Sequence, residues 1–492
     1  MFVEYNIFMS SFRQKKVYQI LLLVFLLGTF LRLYRLADFA IFLGDQGRDA
    51  IIMKNIVNFS HFPAVGPSSS VGQIYLGPFY YYFMAPWLAI FHLNPIGPIV
   101  GVALLSSLFI VLAFIMISDL FDERVALLTS IFLAFSATII DLSRFSWNPN
   151  ILPMFSFIAI YFFCKSLFTK DRFFFVATGF FLGIAFQLHY VTFSLLFACI
   201  AMGLFFAYKD KDKIQQFKNA LFALLSFTII NIPLILFDLR HQFLNSKNFI
   251  TLFTNPSGAG STSITSVIDG FISLNSYAFS IPLHPIIAVA ILAAFLYTFK
   301  KWHDVEYRLM ASLFLISLVI TSFMTEHKFA HYFGILYPMY YLLVAIVITR
   351  ILDESSKKTP TIRHILTGFF IVGMFVYSQA PRYSFLYKEP NMQIAHAEKT
   401  AAKIFPLITS TKFRLTAIPD TFGYSAYGYF LEVWGKKPVD NLTLDPADEM
   451  FVMCEGECAP IGNPQWDVAF FKANSVSTSI SSDNVNVYKL IR

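Results

Sequence analysis

The chain has 492 residues, of which 57% are hydrophobic and 14% charged, with a mean hydropathy of +0.62. Soluble domains carry about 25% charge, so this composition excludes a soluble globular protein and describes a polytopic membrane protein. The net charge of +7 sits in short Lys/Arg clusters between apolar runs, as in cytoplasmic loops, which argues against nucleic acid as a partner; four cysteines are too few for a disulfide framework.

Residues 1–16 carry Arg13, Lys15 and Lys16, and an apolar run follows over 17–36. The run resembles a signal sequence, but no small-x-small site closes it, so an uncleaved first helix is expected. Next comes Gly44-Asp45-Gln46-Gly47-Arg48-Asp49-Ala50, two carboxylates and a guanidinium beside the membrane. Asp45 and Asp49 are four apart and share a face on a helix. Read alone, Asp45 is a helix N-cap; acids at a membrane surface also suit proton abstraction or cation binding.

The stretch 74–92 is apolar enough to span, but Pro78 and Pro86 interrupt it and Tyr and Trp, Tyr81 among them, dominate it. Ten further apolar runs lie near 96–118, 125–141, 151–168, 173–189, 191–208, 219–237, 283–300, 307–323, 330–349 and 363–380. If 74–92 is not a span, eleven helices leave 17 Lys and Arg in cytoplasmic segments and six in outer loops, or eight with Arg32 and Arg35. If it is a span, every later loop flips and the 209–213 lysine cluster faces outward, against the positive-inside rule. The expectation is an all-α polytopic membrane protein of about eleven transmembrane helices, with 74–92 re-entrant or in-plane on the outer surface. Its N-terminus is inside and its C-terminus outside.

After residue 380 the hydropathy falls, which divides the chain into a membrane domain over 1–380 and a small extracytoplasmic α/β domain over 381–492. Residues 451–453 and 485–490 read as strands and 420–434 as a helix with a loose start. Cys454 and Cys458 are spaced to pair across their short loop or to stay free; a metal site would need two more ligands, which are not nearby.

The outer loops collect the polar side chains: Asp45, Arg48 and Asp49; Arg144, Asn148 and Asn150; Gln187, His189 and Tyr190; Arg240 and His241; Glu326, His327, His331 and Tyr332. Singly, His189 reads as a core histidine, Arg144 and Arg240 as interfacial anchors, and Glu326 and His331 as a solvated loop. Together, on one face and with both signs of charge, they read as a site. Arg suits phosphate, carboxylates suit base catalysis, and the aromatic 74–92 surface suits sugars or lipid chains.

At these loops the sequence resembles the integral-membrane GT-C glycosyltransferases, in the branch holding protein O-mannosyltransferases, lipid A aminoarabinose transferases and related lipopolysaccharide glycosyltransferases. The matching features run in order over roughly residues 15–350. They are the acidic motif after the first helix, the Pro-Tyr-rich Leu76-Gly-Pro-Phe-Tyr-Tyr-Tyr, the loop with Arg144 and Asn148, Gly183-x3-Gln-x-His-Tyr190, and the late loop from Glu326 through His331-Tyr332 to Pro338.

The resemblance implies a polyprenyl-phosphate sugar donor, a hydroxyl acceptor and inverting transfer at the extracytoplasmic face of the cytoplasmic membrane. It gives Asp45 the role of base. Gln46 stands where members often have a second acid, with Asp49 one turn on as a substitute. Asn148 and Asn150 stand where some relatives have a metal-holding acid, which weakens the case for a divalent cation. Arg144 and Arg240, with His189, are then expected at the departing phosphate, and Glu326 and His331 at hydroxyls. Arg48, Asp49, Tyr81, Asn148, Tyr190, His241 and Tyr332 are expected to bind substrate. The alternative is a flippase for a lipid-linked sugar, which needs ionisable groups near the bilayer midplane; here the spans are nearly uncharged.

Overall fold

A computed structural model describes residues 2–69, 73–254, 263–325, 327–355, 362–441, 443, 445–483 and 485–492. The chain opens with α1 (Phe2–Leu33), α2 (Leu36–Phe39), α3 (Gly44–Val57) and α4 (Phe79–Ile90). Then follow α5 (Ile96–Leu120), α6 (Glu123–Phe135), α7 (Ala137–Leu142), α8 (Leu152–Thr169), α9 (Arg172–Leu188) and α10 (Thr192–Lys209). The next group is α11 (Lys213–Ile230), α12 (Ile232–Arg240), α13 (Leu244–Thr254), α14 (Ile264–Phe279), α15 (Pro285–Lys301), α16 (Val305–Met324), α17 (Leu336–Ser355) and α18 (Ile362–Gln379).

Each of the eleven predicted runs holds a helix. Six helices among the described residues are long and apolar enough to cross a membrane, or seven if α11 and α12, bent by 65°, form one span. The 125–141 run is not one helix: Ser136 is extended and separates α6 from α7. The break is sealed by polar groups, as a membrane interior requires. The Ala137 amide donates to Gln379 Oε1, Ser136 Oγ accepts from the Ile139 amide, and the Tyr341 hydroxyl donates to Ser136 Oγ.

The 74–92 stretch forms α4, only 12 residues long. That is roughly 18 Å at 1.5 Å per residue, too short for a ~30 Å hydrocarbon core. The chain reverses through left-handed His92 and Leu93 into α5, where Gly101 leaves room for the Trp87 indole.

The C-terminal part adds α19 (Gln393–Ile404), α20 (Ser425–Val433), α21 (Trp466–Phe471) and the strands β1 (Phe413–Ile418), β2 (Glu449–Glu455), β3 (Ser475–Ser482) and β4 (Val485–Ile491). The sheet order is β1-β2-β4-β3, with β1 parallel to β2 and the other pairs antiparallel. The expected strands are β2 and β4, and the expected helix is α20. Cys454 and Cys458 are disulfide-bonded. One apolar core runs from the membrane helices through α4 and α19 into α20 and the sheet, so the two parts pack as a continuous body.

Candidate active site

The Gly44–Ala50 stretch forms the first two turns of α3. Asp45 is not its N-cap. Leu43 occupies that position, and Gln46 Oε1 accepts the Leu43 amide at 3.2 Å. Gln46, the residue standing in for a second acid, therefore does the capping and frees Asp45. An acid one position inside the helix still meets the favourable end of the helix dipole.

Three faces of α3 do three things. Gly44 and Gly47 lie against α20, where a Cβ at Gly47 would run into the backbone of Ser425 and Ala426; Gly44 meets Gly423, itself at φ +71°. Further along that face Lys54 pairs with Glu432 at 2.6 Å, both nearly buried. A second face turns Asp49 toward α4. The third leaves Asp45 and Arg48 accessible, at 53% and 39% side-chain exposure. The two glycines of the motif thus serve helix packing, while its acids and arginine face elsewhere.

Arg48 bridges the two acids. Its Nη1 donates to Asp45 Oδ1 at 2.9 Å, and its Nη2 and Nε donate to Asp49 Oδ1 at 2.8 and 3.0 Å. The Tyr81 hydroxyl donates to the same Asp49 oxygen at 3.2 Å. Asp49 Oδ2 is buried with no hydrogen-bond partner among the described residues. Burial raises the Asp49 carboxyl to about 6, with the Arg48 guanidinium opposing the rise. Of the two acids, Asp45 is open to a substrate and Asp49 anchors the arginine that orients it.

A second cluster surrounds two imidazoles. His189 ends α9; its Nδ1 accepts the Val191 amide at 3.2 Å, which leaves the ring proton on Nε2. Its ring lies 4.6 Å from Tyr190, 5.7 Å from His331 and 5.6 Å from Tyr332. Trp147 meets His331 edge-on at 4.7 Å. Burial lowers His331 to about 4 and holds His189 well below the usual histidine range, so both rings are neutral at physiological pH. A neutral imidazole both donates and accepts, which suits sugar hydroxyls better than a phosphate charge.

One short loop joins the clusters. Ser146 Oγ and the Tyr80 hydroxyl are 2.5 Å apart, next to Tyr81 and Asp49, and the following residue is Trp147. Sequence reading singled out neither Ser146, Trp147 nor Tyr80. The cue was there in the aromatic residues of 145–147 beside Arg144. Gln187 is a structural hub: its Oε1 accepts the Phe79 amide, its Nε2 donates to the Ile230 carbonyl, and its own carbonyl accepts the Gly77 amide. It fixes the start of α4 to the ends of α9 and α11.

Other candidates are spent on structural bonds or stand outside these clusters. Arg144 is buried and donates to the carbonyls of Leu31, Arg32 and Arg35 at 3.0–3.3 Å, with Phe385 under its guanidinium. It caps the C-terminal end of α1, where orphan carbonyls need donors. Asn148 Nδ2 donates to the Leu188 carbonyl at 2.5 Å and caps α9 in the same way. Arg240 is exposed at the end of α12, and His241 folds back onto Phe237. Glu326 lies outside the described residues. Asp45 and Asp49 share one guanidinium, and no group of three or more His, Cys, Asp or Glu forms a metal-ligand set among the described residues. The two acids are already bound to a guanidinium, a poor donor set for a divalent cation.

A family model described as dolichyl-phosphate-mannose-protein mannosyltransferase matches residues 76–237. No curated protein matches the sequence. The structure of ArnT from Cupriavidus metallidurans bound to undecaprenyl phosphate is similar at TM-score 0.63 and 14% identity, covering 97% of this chain and 98% of that one. Its apo form is similar at 0.62 and 12%, covering 98% of each chain. The apo oligosaccharyltransferase of Archaeoglobus fulgidus is similar at 0.55 and 14%, covering 90% of this chain and 70% of that one.

Proposed function

We propose that this chain, which has the GT-C glycosyltransferase fold, transfers a sugar from a polyprenyl-phosphate donor to an acceptor hydroxyl at the outer face of the cytoplasmic membrane, with inversion. The observation that carries the reading is the Asp45–Arg48–Asp49–Tyr81 network at the membrane edge. The undecaprenyl phosphate held by the ArnT structure supports the class of donor. The Lys/Arg asymmetry between loops supports the outward placement of α3 and the C-terminal sheet.

Asp45 accepts the proton of the acceptor hydroxyl as its oxygen bonds to the anomeric carbon. The bond from that carbon to the phosphate oxygen breaks on the opposite face, and polyprenyl phosphate leaves with the electron pair. Arg48, fixed by buried Asp49, orients Asp45 and offers positive charge at the reacting edge. Arg144 becomes a structural cap, and Arg240, exposed at the end of α12 and outside both clusters, is left as the sequence candidate for the phosphate. His189, His331, Tyr332 and Trp147 form a neutral aromatic wall suited to the sugar ring. Purified protein in nanodiscs with a radiolabelled polyprenyl-phosphate sugar tests the reaction: label moves to the acceptor pool with the transferase and stays on the lipid with a flippase.

A further inference from the structure

A second cleft lies behind the N-terminus of α3, between Phe42–Leu43, α19 and one end of the C-terminal sheet, with a volume of about 500 Å³. That is within the range of small-molecule sites. Its polar wall is built from Asn391, Gln393, His396, Tyr427, Glu455 and Asp483, and no Lys or Arg lines it. With the Glu455 carboxylate on its wall and no Lys or Arg lining it, the cleft disfavours phosphate, which sets it apart from a donor-phosphate site.

Some of its polar groups are held in place and others keep free hydrogen-bonding capacity. Gln393 uses Oε1 on the Phe42 amide at 2.9 Å and keeps its NH2. Asp483 is locked by His396 at 2.5 Å and Lys399 at 2.9 Å. The Glu455 carboxylate has no side-chain hydrogen bond or ion pair among the described residues, and Glu455 opens the loop closed by the Cys454–Cys458 bond. Ser482 also lines the cleft; it is 1% exposed, and its hydroxyl has no partner among the described residues. Phe42 and Phe422 supply apolar surface. An aromatic and amide wall with an open carboxylate and no lining Lys or Arg matches a neutral or amine-bearing polyhydroxylated ligand.

We infer that this cleft binds a glycan, the carbohydrate part of the acceptor. The inference rests on the transferase reading for the word acceptor, while glycan binding stands by itself. The cleft reaches Leu43, the residue before the acid-bearing turn, so a chain seated there lies beside α3.

The test is direct binding to the full-length protein in nanodiscs, by saturation-transfer NMR and titration. The probes are chitotriose, maltotriose and an amine-bearing chitosan trimer, with inorganic phosphate as a control. At least one oligosaccharide is expected to bind without competition from phosphate. The Glu455→Gln/Tyr427→Phe double variant, which keeps the packing, should bind it about ten-fold more weakly, as expected for the loss of one or two hydrogen bonds, with undecaprenyl phosphate binding unchanged. Absence of oligosaccharide binding, or equal binding by the double variant, overturns the cleft assignment. Intact oligosaccharide binding without donor-dependent transfer counts against the transferase and leaves the cleft standing.

Discussion

At the scale of single residues, the two acids of the motif divide into an accessible one and a buried one. Asp45→Asn should lower transfer by at least about a hundred-fold, the usual contribution of a positioned base, and leave thermal stability unchanged because Asp45 is largely exposed. Arg48→Lys should fail almost as badly, since an ammonium cannot hold Asp45 and Asp49 with a planar fork. The Asp49 carboxyl, raised to about 6, must be ionised to grip Arg48. Transfer is therefore expected to fall as pH drops through about 6, and Asp49→Asn should flatten that limb of the pH profile at a lower plateau. The stability linkage has the opposite sign: between about 4 and 6 the folded protein binds more protons than the unfolded chain, so the Asp49 term weakens stability as pH rises across that window. Arg144 separates two readings. A phosphate ligand would change donor KM on substitution; as the cap of α1, Arg144→Ala should lower Tm and leave donor KM as it was.

At the scale of elements, hydropathy made the eleven helical runs legible, and charge bias kept the proline-broken 74–92 stretch out of the count. The break at Ser136 was not legible, because a serine in an apolar run carries no sign of the Gln379 and Tyr341 groups that cap it from far along the chain. Strand β3 was missed because its Ser/Thr-rich, largely exposed edge lacks apolar alternation, and β1 because Arg414 and Thr416 give it a polar look although both are buried. The same limit hid the role of Arg144: a sequence displays the donor, while its acceptors lie more than a hundred residues earlier. The glycines of the motif gain their meaning only from α20 and from Gly423 just before it. Gly47→Leu should force α3 and α20 apart and cost about 1–3 kcal/mol, as overpacking does, read as a fall in Tm. Breaking Lys54–Glu432 with Glu432→Gln strands a nearly buried ammonium and should cost about 3–5 kcal/mol. Removing the pair together as Lys54→Met/Glu432→Leu should recover most of that loss.

At the scale of the whole molecule, the C-terminal sheet and the membrane helices share one core, with the acid-bearing helix clamped between them. The fold places the accessible acid, its arginine and a neutral aromatic wall along one edge, tied by the 143–150 loop and by Gln187. We read this arrangement as the proposed transferase site, in contrast to the midplane pathway of ionisable groups that a flippase needs. The decisive measurement is donor-dependent sugar transfer by wild-type and Asp45→Asn protein, each reconstituted in proteoliposomes with a labelled polyprenyl-phosphate sugar and acceptor. The account predicts transfer to an acceptor hydroxyl with inversion by the wild type and near-complete loss in the variant at unchanged Tm. Wild-type turnover in the Asp45→Asn protein, or movement of the intact labelled lipid across the bilayer without transfer, would contradict it.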